Sequence, residues 1–135
     1  MLETAADGER GHRTYRDLDA WATSMTLAEA TLRATRGWAA ADQFSLGLQM
    51  RRSAISIASN IAEGYSRRSA AAARYYVTIA LGSHGEYETQ LELARRAGLL
   101  NPETADQLSR HCDSVGRLLS GLHRAAIRST ALGKR

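Results

Sequence analysis

The sequence predicts an all-α protein, an antiparallel up-down four-helix bundle, and three observations carry that reading. The 135-residue chain holds one Pro against two dozen Ala and sixteen Leu, and Ala and Leu are the residues that cost least in a helix. Apolar residues recur at steps of three and four in successive stretches, the spacing of a helical stripe. The breaks between stretches are short and marked by Gly, Ser, Asn or Pro, which brings consecutive helices together as antiparallel neighbours. The length suits one domain.

Residues 1–13 show no periodicity and contain Gly8 and Gly11, so a disordered tail is expected there. A first helix over about 15–36 carries the stripe Leu18, Trp21, Met25, Ala28, Leu32, Thr35, with Gly37 behind it. Asp42 is the expected N-cap of a second helix, about 42–64, with Gly64 as its C′ residue. That helix has two apolar seams: Phe44, Leu48, Ile55, Ala58 and Ala62, then Met50, Ala54, Ile57 and Ile61 on a second face. Two buried stripes exceed what a surface helix of a small bundle needs, so it is either central or faces a second chain.

Ser69 is a candidate N-cap for a third helix over 69–97, roughly 43 Å long at about 1.5 Å per residue. Gly82 and Gly85 fall inside it, each costing about 1 kcal/mol against Ala, so a close crossing by another backbone is expected there. Asn101-Pro102-Glu103 opens a last helix, about 102–128, with Pro at its first position and an acid beside it. Its stripe is Leu108, Cys112, Val115, Leu119, Leu122 and Ala126, and residues 131–135 form a C-terminal tail.

Composition narrows the function classes. A single Cys forms no intramolecular disulfide and anchors no zinc site alone, which suits a reducing cytoplasm. No apolar run reaches the roughly 18 residues of a membrane span, and the first dozen residues are acidic and polar where a signal peptide is basic and then apolar. The net charge of +4 is carried by seventeen Arg and one Lys. It is uneven: residues 51–74 carry +4 and residues 75–94 carry −3. Two readings of the Arg excess stand, a solvated surface of Arg–acid pairs and a surface that binds a polyanion.

The anion-binding candidates are Arg51, Arg67, Arg68, Arg74, Arg110, Arg117, Arg124 and Arg128. The loop Gly64-Tyr65-Ser66-Arg67-Arg68-Ser69 puts two guanidiniums, two hydroxyls and an aromatic just before a helix N-terminus, whose free N–H groups and dipole favour anions. Arg110, Arg117, Arg124 and Arg128 share one side of the last helix. A second constellation is polar and internal: Arg52, Ser56, Asn60 and Glu63 on the second helix face a polar line of Ser83, Glu86 and Gln90 on the third. Arg52 paired with Glu63 or Glu86, with Asn60 bridging, makes a structural polar cluster; two carboxylates there could alternatively serve acid–base chemistry. Catalytic motifs are otherwise absent: there is no Glu-x-x-His pair, no phosphate-binding Gly loop and no nucleophile elbow. His84, His111 and His123 lie too scattered for a ligand set, and Cys112 reads as a packed thiol. No metal or cofactor is expected.

The run Leu48-Gln49-Met50-Arg51-Arg52-Ser53-Ala54-Ile55-Ser56-Ile57-Ala58-Ser59-Asn60-Ile61-Ala62-Glu63-Gly64 resembles a family signature, Q-L-R-R-A-x-x-S-I-x-x-N-I-A-E-G. That signature belongs to the four-helix bundle proteins first noticed as reading frames in 23S rRNA intervening sequences. Gly82-Ser83-His84-Gly85-Glu86-Tyr87-Glu88-Thr89-Gln90 is similar to its G-S-x-x-E-x-E-T-Q segment, and Leu18-Asp19-Ala20-Trp21 to its D-L-x-x-W opening. Departures are Trp38-Ala39 for an aromatic–Pro step, Ala58 where Pro is frequent, and His84-Gly85 for apolar residues. The resemblance implies a homopentameric ring without established enzymatic activity. It also implies kinship with the accessory proteins of diversity-generating retroelements, basic bundles that engage a reverse transcriptase and nucleic acid. By matching position Arg51, Arg52, Asn60, Glu63, Ser83 and Glu86 are motif residues, carried over as positions without a role. The resulting expectation is a homo-oligomer that binds structured RNA or another polyanion; the alternative is a scaffold docking a nucleic-acid-processing protein such as a polymerase.

Overall fold

A computed structural model of the chain describes residues 14–133, which form four long helices: α1 (Asp19–Thr35), α2 (Leu48–Ser66), α3 (Ala70–Arg96) and α4 (Pro102–Gly133). Each helix packs on the next in sequence, and α1 also packs on α4, closing a square of four. The connections 67–69 and 97–101 permit only a reversal, so successive helices run antiparallel. The tail expected over 1–13 lies outside the described residues, as do residues 134 and 135. Helix α4 runs to Gly133, past the end expected near 128.

Local chemistry sets the helix ends. A 3-10 turn, Tyr15–Asp17, is held by a reciprocal capping box between Thr14 and Asp17. Leu18 is then extended (φ −84°, ψ 128°), so α1 begins at Asp19 rather than near residue 15. Ser69 caps α3 as the sequence predicts, its Oγ accepting from the Ala72 N–H at 3.0 Å. At the other end Gly98 has φ 73°. Its N–H reaches the Arg95 carbonyl at 3.1 Å and the Leu99 N–H reaches that of Ala94 at 3.0 Å, the paired bonds of a Schellman motif. Asn101 Oδ1 accepts from the Thr104 N–H at 2.8 Å, with Pro102 at the first position of α4.

Helix α2 departs from expectation at both ends. Asp42 makes no cap; a helical turn, Ala40–Asp42, runs through a π-helical turn, Gln43–Gly47, directly into α2. At the far end Gly64 is a buried helical residue, and the positive φ (58°) falls instead on Arg68. A Cβ on Gly64 would stand 2.9 Å from Tyr76 Cβ and 3.3 Å from the Ala72 carbonyl oxygen, so the glycine permits α2 and α3 to close on each other. The crossing expected at Gly82 and Gly85 is absent: a Cβ at either would meet nothing within 4 Å. The close approach of α3 to α4 is at Gly116, where a Cβ would stand 2.8 Å from the His84 ring.

The core follows the second seam of α2. Met50, Ala54, Ile57 and Ile61 are buried together with Leu27, Tyr87, Leu108, Val115 and Leu119. The α4 stripe is buried as expected, with Leu122 half-buried. Helix α1 is partly rotated from its expected stripe: Ala28 and Thr35 are buried as expected, but Met25 and Leu32 are 45% and 40% exposed, while Ala20, Ser24, Leu27 and Thr31 point inward. Hydroxyls tolerate that position because they bond their own helix. Ser24 donates to the Ala20 carbonyl at 2.6 Å, Thr31 to Leu27 at 2.7 Å and Thr35 to Thr31 at 3.0 Å.

Candidate functional site

One end of the bundle gathers the end of α2, the start of α3 and the end of α4. A hollow of about 480 Å³ there is walled by Gly64, Tyr65, Arg68, Ser69, Leu122 and Ser129 among others. A second, of about 380 Å³, is lined by Thr14, Tyr15, Tyr65, Ser66 and Arg68. Tyr65 and Arg68 therefore stand between two concavities, directly before the capped N-terminus of α3. Arg67 Nε donates to Glu63 Oε2 at 2.7 Å, and its guanidinium lies over the Tyr76 ring at 5.2 Å. Arg74 Nη1 donates to Thr130 Oγ1 at 3.1 Å, which ties the start of α3 to the end of α4. Arg110, Arg117, Arg124 and Arg128 are all exposed along α4.

Pairing separates the arginines. Glu29 takes Arg33, Glu63 takes Arg67, Glu92 takes Arg95 and Arg96, and Asp106 takes Arg95. Among the described residues no ion pair reaches Arg68, Arg74, Arg110, Arg117, Arg124 or Arg128. Arg51 differs in kind: it is half-buried, with Nη1 donating to Thr35 Oγ1 at 3.0 Å and Nη2 to the Gln43 carbonyl at 3.2 Å. It clamps the end of α1 to the π-helical turn and so has its donors turned inward.

The polar faces of α2 and α3 meet through Ser56, Asn60 and Ser83, without the expected ion pairs. Ser56 Oγ and Ser83 Oγ share a hydrogen bond at 2.8 Å, and Asn60 Nδ2 donates to Ser56 Oγ at 3.0 Å. Ser53 Oγ donates to Gln90 Oε1 at 2.6 Å, a cross-helix bond that joins Gln90 of the expected α3 line to a serine outside it. The expected ion pairs are replaced: Glu63 is taken by Arg67, just past the end of its helix, and among the described residues Arg52 and Glu86 form no ion pair. Both are exposed, so they lie outside the hydroxyl–amide bridge. That bridge is uncharged and carries no base for acid–base work.

A third grouping was not foreseen. His84, Glu88 and Cys112 place potential ligand atoms within 4.8 Å of one another. The His-x-x-x-Glu spacing on one helix is its only signal in the sequence, since Cys112 comes from α4. Cys112 is buried, and burial first, then the charges of Glu88 and Asp113, push its thiol up to about 12. A thiol so held is no nucleophile at neutral pH. Burial also raises the Tyr65 and Tyr87 phenols. All three acids are raised in the fold, so they ionise first in the unfolded chain, and stability is full below their ordinary values. The melting temperature is therefore expected to hold to about pH 8.5 and then fall steadily towards pH 12, more shallowly in Cys112→Ala than in wild type. A flat profile across that window in thermal melts would count against these burials.

The family described as 23S rRNA-intervening sequence protein matches residues 16–121. The chain belongs to this family. For a 23S rRNA-intervening sequence protein, the matched span takes in α1, α2, α3 and most of α4, including the loop between α2 and α3. Arg124 and Arg128 lie beyond it. A search of curated proteins gave no match. No helix among the described residues is long and apolar enough to cross a membrane.

Proposed function

We propose that this 23S rRNA-intervening sequence protein is a non-enzymatic homo-oligomer that binds structured RNA or another polyanion through Arg68, Arg74, Arg110, Arg117, Arg124 and Arg128, with Arg67 at the edge. The observation that carries the reading is the division of the arginines. Arg33, Arg67, Arg95 and Arg96 pair with acids, whereas among the described residues these six, like Arg16, Arg36 and Arg52, form no ion pair. Guanidinium offers bidentate donors to phosphate, and such contacts are largely independent of sequence. Arg68 supports the assignment from the backbone: a Cβ-bearing residue at φ 58° costs about 1 kcal/mol or more against Gly, so the side chain is kept at a cost to the fold. Arg51 is left out because its donors are engaged internally.

Self-association is supported by two exposed members of the first expected seam, Phe44 in the π-helical turn and Ile55 in α2. Phe44 and Ile55 are 68% and 47% exposed, and Ile55 shares a groove of about 450 Å³ with Met25 and Leu32 of α1. A ring of five copies, as the family resemblance implies, would cover such a face and repeat the Arg surface around its axis. The same groove favours the second reading, a scaffold that docks a polymerase or reverse transcriptase without touching nucleic acid.

The test is fluorescence anisotropy of a labelled RNA hairpin titrated with protein at several salt concentrations. Removing one guanidinium that neutralises a phosphate should flatten the log–log salt slope by roughly 0.7–0.9, so Arg67→Ala/Arg68→Ala should bind more weakly with a shallower slope. Arg68→Gly should flatten the slope while raising the melting temperature, because glycine adopts that φ freely. Absence of binding at low salt overturns the RNA reading and leaves the scaffold. Light scattering of the same preparations is expected to give a mass near five chains, and a clean monomer removes the oligomer.

A further inference from the structure

We propose that His84, Glu88 and Cys112 form a binding site for a thiophilic divalent cation of the Zn2+ class, laid across α3 and α4. His84 and Glu88 stand one turn apart on α3, and Cys112 faces them from α4. The Cys112 sulfur lies 3.4 Å from His84 Nε2, and Glu88 Oε1 lies 3.7 Å from His84 Nδ1. One donor atom from each residue falls within 4.8 Å of the other two. Around a tetrahedral zinc ion, with Zn–S about 2.3 Å and Zn–N or Zn–O about 2.0–2.2 Å, neighbouring donors sit about 3.4–3.6 Å apart. The sulfur–Nε2 spacing has that value, while Glu88 approaches the other ring nitrogen, Nδ1, so the ring must turn to aim one nitrogen at an ion shared by all three. Glu88 is exposed, so its carboxylate is free to swing inward and complete the set.

The imidazole is held in place before any ion arrives. Its ring is buried and lies against Gly116, where a Cβ would come to 2.8 Å from Cε1. Nε2 lies 2.8 Å from the Cys112 carbonyl oxygen, which can only accept, so in the ion-free protein Nε2 carries the proton. That carbonyl lies inside α4 and has a helical partner of its own, so it loses little when the ring turns a nitrogen to an ion.

Charge and access agree with a cation. A hollow of about 510 Å³ outside His84 is lined by Glu88, Asp113, Arg117 and Arg124. Glu88 and Asp113 balance the two guanidiniums, and the thiolate formed as the ion binds adds a negative charge at the ion itself. The hollow gives a route from solvent and room for a water as fourth ligand. Sulfur and imidazole donors select the Zn2+ class over Mg2+ and Ca2+, which take oxygen. As the metal–sulfur bond forms, the Cys112 S–H bond breaks and its proton passes to solvent, one per ion bound.

The experiment uses reduced full-length protein without a polyhistidine tag, titrated with Co2+ as the spectroscopic probe and then with Zn2+. The expected result is one Co2+ per chain with a thiolate-to-cobalt charge-transfer band, displaced by Zn2+, and a higher melting temperature with Zn2+ but not with Mg2+. Cys112→Ala should abolish the band. Glu88→Gln, at an exposed position that the core does not use, should keep the fold by circular dichroism and weaken the affinity about tenfold or more. No charge-transfer band from wild type in excess Co2+ overturns the site. So does a band whose affinity is unchanged in both Glu88→Gln and His84→Leu.

Discussion

Tyr87→Ala is expected to destabilise the bundle by about 3–5 kcal/mol, the range for removing a buried aromatic and leaving its volume empty. Tyr87 is among the largest fully buried side chains, in a core otherwise built mainly from Ala and medium-sized aliphatics. Its neighbours are helical and well packed, so they collapse poorly into the space. Its phenol also makes a 2.6 Å hydrogen bond with Thr31 on α1, a bond that in net terms contributes about 1 kcal/mol. Tyr87→Phe isolates that smaller part. Since small domains are held by roughly 5–15 kcal/mol in all, the alanine variant should show a large drop in urea midpoint. A cost below about 1 kcal/mol for Tyr87→Ala would mean that the ring is not in the core.

Gly64→Val is expected to cost about 3 kcal/mol, at the upper end for forcing extra atoms into a packed contact. The first added carbon already meets Tyr76 Cβ at 2.9 Å and the Ala72 carbonyl oxygen at 3.3 Å. Neither is the yielding tip of a side chain, so α2 and α3 must part. Gly82→Ala is the contrasting control: a Cβ there meets nothing within 4 Å, and the change should stabilise the single bundle by about 1 kcal/mol through helix propensity. Melting curves of the two variants that moved in the same direction would contradict this assignment of the crossing.

Periodicity made the four helices legible, and cap chemistry located Ser69, Gly98 and Pro102 at their ends. The rotation of α1 was hidden because an apolar stripe marks a buried face only when that face is apolar, and the buried face of α1 holds Ser24, Thr31 and Thr35, whose hydroxyls bond their own backbone. Gly82 and Gly85 misled for a related reason: a glycine in a helix signals room for a neighbour, and nothing local says on which side the neighbour lies. At the candidate RNA surface, residue type and spacing identified the α4 row. The inward turn of Arg51 depended on the π-helical turn at Gln43–Gly47, which shifts the helix phase without a cap or breaker to announce it. The ligand grouping at His84 required Cys112, 28 positions away, and separations of that kind become visible only when the helices are packed.

The hydroxyl-lined face of α1 also bears on how the molecule opens. Each of those hydroxyls carries its hydrogen bond with it, so when α1 lifts away few of its own donors are orphaned, and Leu27 is the largest aliphatic side chain it withdraws from the core, beside Ala20 and Ala28. Its fastenings to the rest are the Thr31–Tyr87 and Thr35–Arg51 bonds, the Gln43 amide on the Thr35 and Arg36 carbonyls, and the packing around Leu27. In native-state hydrogen exchange the amides of α1 should therefore open as a unit ahead of those of α2, α3 and α4, at a free energy below that of global unfolding.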